Sequence, residues 1–307
     1  MTNPEPTPLV SVIMNAYYSE EFLAEAIASV VAQTYSNWEI ILWENESSDG
    51  TREIAESFND PRIRYFFAPD KVSLYESRMN AFNEAQGEFV AFLDCDDLWQ
   101  PEKFKWQIEV FQNPTCVVSS TDYVIKNEAQ RPMMFCRKER RYRTYRKPEF
   151  SVVKAIENYR VGLSTLMIRV SAAREFLPKS PPPFTMIEDV DIVTRMMTGG
   201  TLVPVPRALT SYRVHENNYS RQTDPFRNEL QTWISNICDL VLSDGDKKSL
   251  TTWGETQILN SRYRAAVLTG NRTLAFQQCF KMNRSIPKMK RLLALALPLK
   301  MTQTIVR

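Results

Sequence analysis

Residues 88–99 read EFVAFLDCDDLW. The run 88–93 has the composition of a buried strand, and Asp94, Asp96 and Asp97 crowd into the four positions after it. Like charges this close repel, and desolvation makes the repulsion worse. Either water dilutes it or a cation holds the cluster together. Asp94 and Asp96 are two apart, so a strand end places them on one face, with Asp97 pointing elsewhere. Mg²⁺ and Mn²⁺ prefer oxygen ligands, and Mg²⁺ commonly takes one or two carboxylates plus substrate phosphates. The competing reading is a solvated loop ahead of a helix that Pro101 opens in its favoured first position.

Working outward, 9–14 and 38–43 read as strands, 62–67 as a third and 88–93 as a fourth. Helical periods fall between them. In the first, Phe22, Leu23, Ala26, Ile27, Val30 and Val31 share one face, with Ser19 as the expected N-cap. Further helices are expected over 49–58, with Ser48 or Asp49 capping, and over 74–86. Strand alternating with helix predicts a parallel sheet covered by helices, whose ligands sit beyond the carboxyl ends of the strands. Three polar clusters fall there: Asn15, Tyr17 and Tyr18 after the first strand, Glu44, Asn45, Glu46 and Ser47 after the second, and the aspartates after the fourth. Later strands are expected at 116–121 and 163–170. From about 222 long helical periods dominate, with Trp233, Ile237, Leu240 and Val241 on one face.

The chain has 307 residues, 38 Lys or Arg against 36 Asp or Glu, and 43% apolar residues. This is an ordinary globular composition, and the net charge of +2 argues against bulk nucleic-acid binding. Five cysteines, odd in number and without a C-x-x-C pair, argue against a disulfide framework or zinc site and for a reducing compartment. The N-terminal stretch lacks the pattern of a signal peptide, and no apolar run reaches the ~18 residues of a membrane span. The expected location is cytoplasmic.

Taken jointly, Q-T-Y, S-x-D-G-T, G-E-F-V-A-F-L-D-x-D-D and a later E-D resemble the inverting GT-A glycosyltransferases of family two. These bacterial enzymes build lipopolysaccharide, capsule and related glycans from nucleotide-sugars. The resemblance is close over 8–112 and looser over 160–220. It implies an α/β, Rossmann-like GT-A fold with a mostly parallel central sheet flanked by helices. Residues 1–221 would form the catalytic domain, its nucleotide-sugar half about 8–112 and its acceptor half about 113–221. Residues 222–307 would form a C-terminal helical appendage.

The D-x-D motif of that family falls on Asp94, Cys95 and Asp96. The resemblance implies that Asp96 ligates Mn²⁺ or Mg²⁺ while Asp94 contacts the ribose and also stands as a candidate ligand; Asp97 is carried as a donor-site residue. The base loop holds Glu44, Asn45 and Glu46 where the family usually has two aspartates and a glycine. A carboxylate there could accept the imino proton of a uracil, which leans the donor to a UDP-sugar. Tyr17 matches a family position, while Asn15 and Tyr18 replace its proline and asparagine. Arg78 matches an arginine that reaches the base or the phosphates; a surface salt bridge is the alternative.

In FTMIEDVDIVTRMM, Glu188 and Asp191 share a helix face and Asp189 lies off it. Such carboxylates are also ordinary partners of a helix N-terminus. The resemblance places the Glu188–Asp189 pair on the acceptor side, with Asp189 as general base. The only histidine, His215, is expected either as a structural residue or as a ligand to metal or phosphate. The basic run 137–147 and the tail PKMKRLLALALPLKM suit an anionic, lipid-linked acceptor or peripheral contact with the inner membrane face; a solvated loop and packing on the catalytic domain are the alternatives. A nucleotide-sugar-binding protein without turnover is the second functional reading, and phosphoryl transfer a weaker third, since no Walker loop is present.

Overall fold

The computed structural model describes residues 7–127 except 69, the strand 139–142, positions 148, 151–152 and 155, and residues 161–281 except 181, 183, 216–217, 219–222 and 238–242. The described residues up to 215 form one compact unit, and those from 218 to 281 another.

In the first unit, the apolar runs seen in the sequence become β1 (Val10–Ala16), β2 (Trp38–Asn45), β3 (Ile63–Ala68) and β4 (Phe89–Phe92). They pair in parallel, in spatial order β3-β2-β1-β4, with Val10 opposite both Trp38 and Phe89. The helices α1 (Leu23–Val31), α2 (Thr51–Ser57) and α3 (Leu74–Glu84) supply the crossovers that parallel neighbours require. Leu23, Ala26, Ile27 and Val30 of α1 are fully buried, joining Val10, Val12, Met14, Ile40 and Leu42 in one core. Gly87 precedes β4 because the backbone passes too close for a side chain: a Cβ there would lie 2.6 Å from the Leu9 carbonyl oxygen.

Beyond β4 the sheet changes character. β8 (Leu166–Arg169) joins β4 antiparallel, β6 (Cys116–Asn127) joins β8 antiparallel, and β9 (Thr201–Val214) joins β6 in parallel. The short β5 (Leu98–Trp99) pairs with β9, and β7 (Glu139–Tyr142) with β6. The α/β class expected from the sequence is borne out, but the sheet is mixed, not mostly parallel.

Three local expectations also change. Helix α1 begins at Leu23, and the Ser19 hydroxyl, instead of capping it, accepts from Tyr17 N–H. Pro101 lies in the turn ahead of α4 (Lys103–Val110), two residues short of its first position. Leu163–Thr165 form a 3-10 turn, so β8 is shorter than the run 163–170. Downstream, α5 (Val170–Phe176) and α6 (Glu188–Met196) complete this unit's helices among the described residues.

The second unit contains α7 (Thr223–Ile237), α8 (Asp244–Leu268) and α9 (Arg272–Lys281). Trp233 and Trp253 meet edge to face at 6.0 Å. Gly254 lets α8 approach α7, since a Cβ there would lie 2.2 Å from Ile234 Cδ1. Tyr263, Ala266, Val267, Ala275 and Cys279 form its core. Leu240, Val241, most of the basic run and the tail 287–301 lie outside the described residues. No described helix is long and apolar enough to cross a membrane.

Candidate active site

Parallel β1, β2 and β4 end on one rim, which is where an open α/β sheet offers a crevice. The loops after β1 and β2 are fastened together there. Tyr18 N–H donates to Ser47 Oγ at 3.1 Å, and the hydroxyls of Tyr18 and Ser48 are 3.0 Å apart. Ser19 N–H donates to Thr51 Oγ1, whose own proton goes to Asp49 Oδ1. Asp49 thus precedes and braces α2, close to the expected cap. Tyr18 and Glu46 hold positive φ, 50° and 27°. Such strain costs about 1–3 kcal/mol per residue, and the cross-loop hydrogen bonds offset it. Tyr17 is exposed on this rim, and Lys71 Nζ donates to its hydroxyl at 2.8 Å.

Glu44 is almost fully buried. Its two oxygens accept from the Tyr65 hydroxyl and from Ser47 N–H. Burial, and then the Glu44 carboxylate, push the Tyr65 phenol up, so it remains a donor. Asn45 Nδ2 donates to the Val72 carbonyl, while Asn45 Oδ1 and Asn15 Nδ2 are buried without a hydrogen-bond partner. A buried donor and a buried acceptor left over at adjacent strand ends are places for a ligand's own polar groups.

The aspartates do not continue the β4 strand. Residues 94–97 close a turn, Asp97 N–H donating to the Asp94 carbonyl at 3.0 Å, so Asp94 and Asp96 find separate partners. Arg78 Nη2 donates to Asp94 Oδ1 at 3.0 Å, and Arg78 Nη1 pairs with Glu188. Arg78 therefore joins the D-x-D turn to the first turn of α6. Burial lowers the guanidinium's affinity for its proton, and Asp94 and Asp189 offset only part of that; an arginine stays charged regardless. Asp96 Oδ2 lies 3.0 Å from His215 Nε2, at the end of β9. Asp97 is 1% exposed, accepts from Arg213 N–H, and burial raises its pKa. It faces β9 and not the rim.

On α6, Glu188 and Asp191 are buried, Asp191 held by Arg195 at 2.8 Å. Asp189 is half-buried off that face and accepts from Val190 N–H. The arrangement agrees with the helical spacing.

Arg213 was not singled out by sequence reasoning. It is 5% exposed; its Nε donates to the Asp96 carbonyl at 2.9 Å, its Nη2 to Glu25 at 2.8 Å, and its guanidinium lies 4.3 Å from the Phe22 ring. It ties the D-x-D turn to α1 and to the end of β9, after which His215 follows. The signal was its place two residues before the only histidine. Ser164 was also missed; its hydroxyl accepts from Asp94 N–H and its carbonyl from Trp99 Nε1.

Asp96 and His215 offer one oxygen and one nitrogen donor within 3.0 Å of each other, with Asp94 in the same turn. This set fits a divalent ion that draws its remaining ligands from phosphate oxygens and water. Among the described residues, no group of three or more His, Cys, Asp or Glu side chains is placed to hold a metal ion, so any ion here would rest on two protein donors.

A Rossmann-like sheet thus carries a carboxylate turn at its central rim, which Arg78 joins to the acidic first turn of α6. Residues 11–175 match the description Glycosyl transferase family 2. The chain belongs to that family. It is 28% identical over 237 residues to the putative teichuronic acid biosynthesis glycosyltransferase TuaG of Bacillus subtilis, covering 76% of this chain and 88% of TuaG. Over 102 residues it is 39% identical to the Escherichia coli UDP-Glc:alpha-D-GlcNAc-diphosphoundecaprenol beta-1,3-glucosyltransferase WfgD, covering 33% of this chain and 40% of WfgD. The S. aureus TarS fragment 1–349 in complex with UDP-GlcNAc superposes with a TM-score of 0.67 at 16% identity, over 97% of this chain and 88% of that one. The mannosyltransferase PcManGT of Pyrobaculum calidifontis, in complex with GDP-Man and Mn²⁺, gives 0.63 at 18%, over 99% and 86%. At these identities the structural likeness carries the fold.

Proposed function

We propose that this glycosyltransferase moves a sugar, with inversion, from a UDP-linked donor to a hydroxyl of a glycan or lipid-linked acceptor in bacterial surface polysaccharide synthesis. The observation that carries the reading is Arg78, which touches Asp94 on the donor side and Glu188 on the acceptor side and so makes the two motifs one site. The names of TuaG and WfgD support the pathway class, and WfgD and the TarS complex support uridine as the donor base.

In this reading residues 1–221 are catalytic and 222–307 an appendage. Asn15, Tyr17 and Asn45 receive the base, with Asn15 Nδ2 and Asn45 Oδ1 as its buried polar contacts. Glu44 shapes the loop through Tyr65 and Ser47, since both its oxygens are engaged there. Asp94 and Arg78 meet the ribose and phosphates. Asp97 acts through the β9 backbone and not on the ligand. Asp96 and His215, with Asp94 beside them, would hold a divalent cation, which when bound would supply Lewis-acid stabilisation of the charge on the departing diphosphate.

Asp189 takes the acceptor's hydroxyl proton as that oxygen bonds the anomeric carbon from the face opposite the leaving group. The bond from that carbon to the diphosphate oxygen breaks, and its electron pair leaves with the diphosphate. Glu188 is buried against Arg78, so it sets the position of the α6 turn and is not the base. Holding both substrates in one cleft removes much of the entropic barrier to their meeting.

The test is a panel of UDP-, GDP- and dTDP-sugars with Mn²⁺, read by thermal shift and by release of nucleoside diphosphate. One UDP-sugar should stabilise the fold and turn over with an acceptor. Asp189→Asn should keep the stabilisation and lose roughly 10²–10⁴-fold in rate. Stabilisation without turnover against every acceptor class would favour a binding protein instead.

A further inference from the structure

The second unit contains a cleft of about 370 Å³ that the chemistry above does not use. It lies among α7, α8 and α9, lined by Arg227, Arg262, Thr269, Leu274 and Gln278 over a floor of Ala266. A volume of this size accepts a small organic ligand. Two guanidinium groups from different helices line it, and arginine's planar fork matches phosphate oxygens. Gln278 is 6% exposed, and its Oε1 is buried without a hydrogen-bond partner. That leftover acceptor calls for a hydroxyl, since a bare phosphate dianion has no proton to give it.

Charge points the same way. Among the described residues from 256 to 281, Arg262, Arg264, Arg272 and Lys281 carry positive charge and no Asp or Glu is present. A local excess of positive charge on this part of α8 and α9 favours an anion. The carbonyl end of α8, which would repel an anion, is closed off: Thr269 N–H donates to Ala265, Gly270 N–H to Val267 and Asn271 N–H to Ala266.

We propose that this cleft binds a hydroxyl-bearing phosphate ester, with Arg227 and Arg262 on the phosphate, Gln278 on a hydroxyl and Leu274 against the carbon skeleton. The same chemistry is offered by a soluble polyol phosphate and by a polyol-phosphate lipid headgroup. The site is built from residues of the second unit alone, and its occupancy does not depend on the transfer reaction.

The experiment uses the full chain without donor. Glycerol 3-phosphate is titrated by calorimetry, and phosphatidylglycerol vesicles are tested by flotation against phosphatidylcholine vesicles. Arg262→Gln and Arg264→Gln remove one charge each from exposed positions of the same helix, but only Arg262 lines the cleft. Arg262→Gln should weaken binding at least tenfold while Arg264→Gln changes it less than about twofold. Gln278→Leu should erase the preference for glycerol 3-phosphate over inorganic phosphate. Binding of the soluble ester identifies a free phosphate source; binding of vesicles alone, lost in Arg262→Gln, identifies a headgroup. Binding of neither probe, equal weakening by both arginine variants, or indifference to Arg262→Gln overturns the proposal.

Discussion

His215 Nε2 lies 3.0 Å from Asp96 Oδ2, across 119 positions of sequence. The contact is possible because β9 pairs with β5, the two-residue strand directly after the D-x-D turn, bringing Leu98 opposite Ser211. Arg213 reinforces it from between, through the Asp96 carbonyl and Asp97. The side chain of Asp96 is 29% exposed, so its removal should leave the fold intact. Asp96→Ala should unfold within a few degrees of wild type yet lose Mn²⁺-dependent turnover. Thermal melts and rates with and without Mn²⁺ check both halves.

Arg78 stands between Asp94 and Glu188, and Glu188 is 3% exposed. Removing the arginine strands a buried carboxylate, which costs roughly 3–5 kcal/mol. Arg78→Ala should therefore be strongly destabilising in urea unfolding. Adding Glu188→Gln should recover part of the loss, giving a non-additive double-mutant cycle. Additive effects would mean that the pair does not couple.

Tyr65 holds Glu44 through its hydroxyl. Tyr65→Phe leaves a nearly buried carboxylate with one protein donor fewer, a change of about 1.5–3 kcal/mol. Because the pair shapes the loop after β2, the donor KM should rise more than kcat falls. Steady-state kinetics with the best UDP-sugar reads this split.

Lys103 is fully buried, lies 4.2 Å from the Trp99 ring and donates to Gln107. Burial pulls its pKa well below 10.5. The folded state then binds fewer protons than the unfolded chain in the window between the depressed pKa and 10.5, so stability rises with pH there and falls as pH drops. Urea unfolding at a series of pH values descending from about pH 10 should show that slope, and Lys103→Met should flatten it.

The first four strands were legible because each is a short apolar run followed by a helix with its own period, and parallel neighbours need such crossovers. The order β4-β8-β6-β9 was not, because those strands pair with partners distant in sequence and no local signal names them. Candidate residues at strand ends were legible from polarity after a greasy run. What escaped was the second set of contacts. Lys103 and Arg213 were not singled out in the sequence, yet both are buried, one against aromatic and amide groups and the other with its charge matched by Glu25. Glu44 read as a ligand carboxylate, and only Tyr65 opposite Leu42 on the neighbouring strand shows where its oxygens go.

The most direct test of the account is Mn²⁺ binding in the presence of UDP, followed by electron paramagnetic resonance, for wild type and for Asp96→Ala and His215→Ala. The account predicts one bound Mn²⁺ in wild type, strengthened by UDP, and at least a tenfold weaker site in each variant. Equal Mn²⁺ affinity in all three proteins would contradict it.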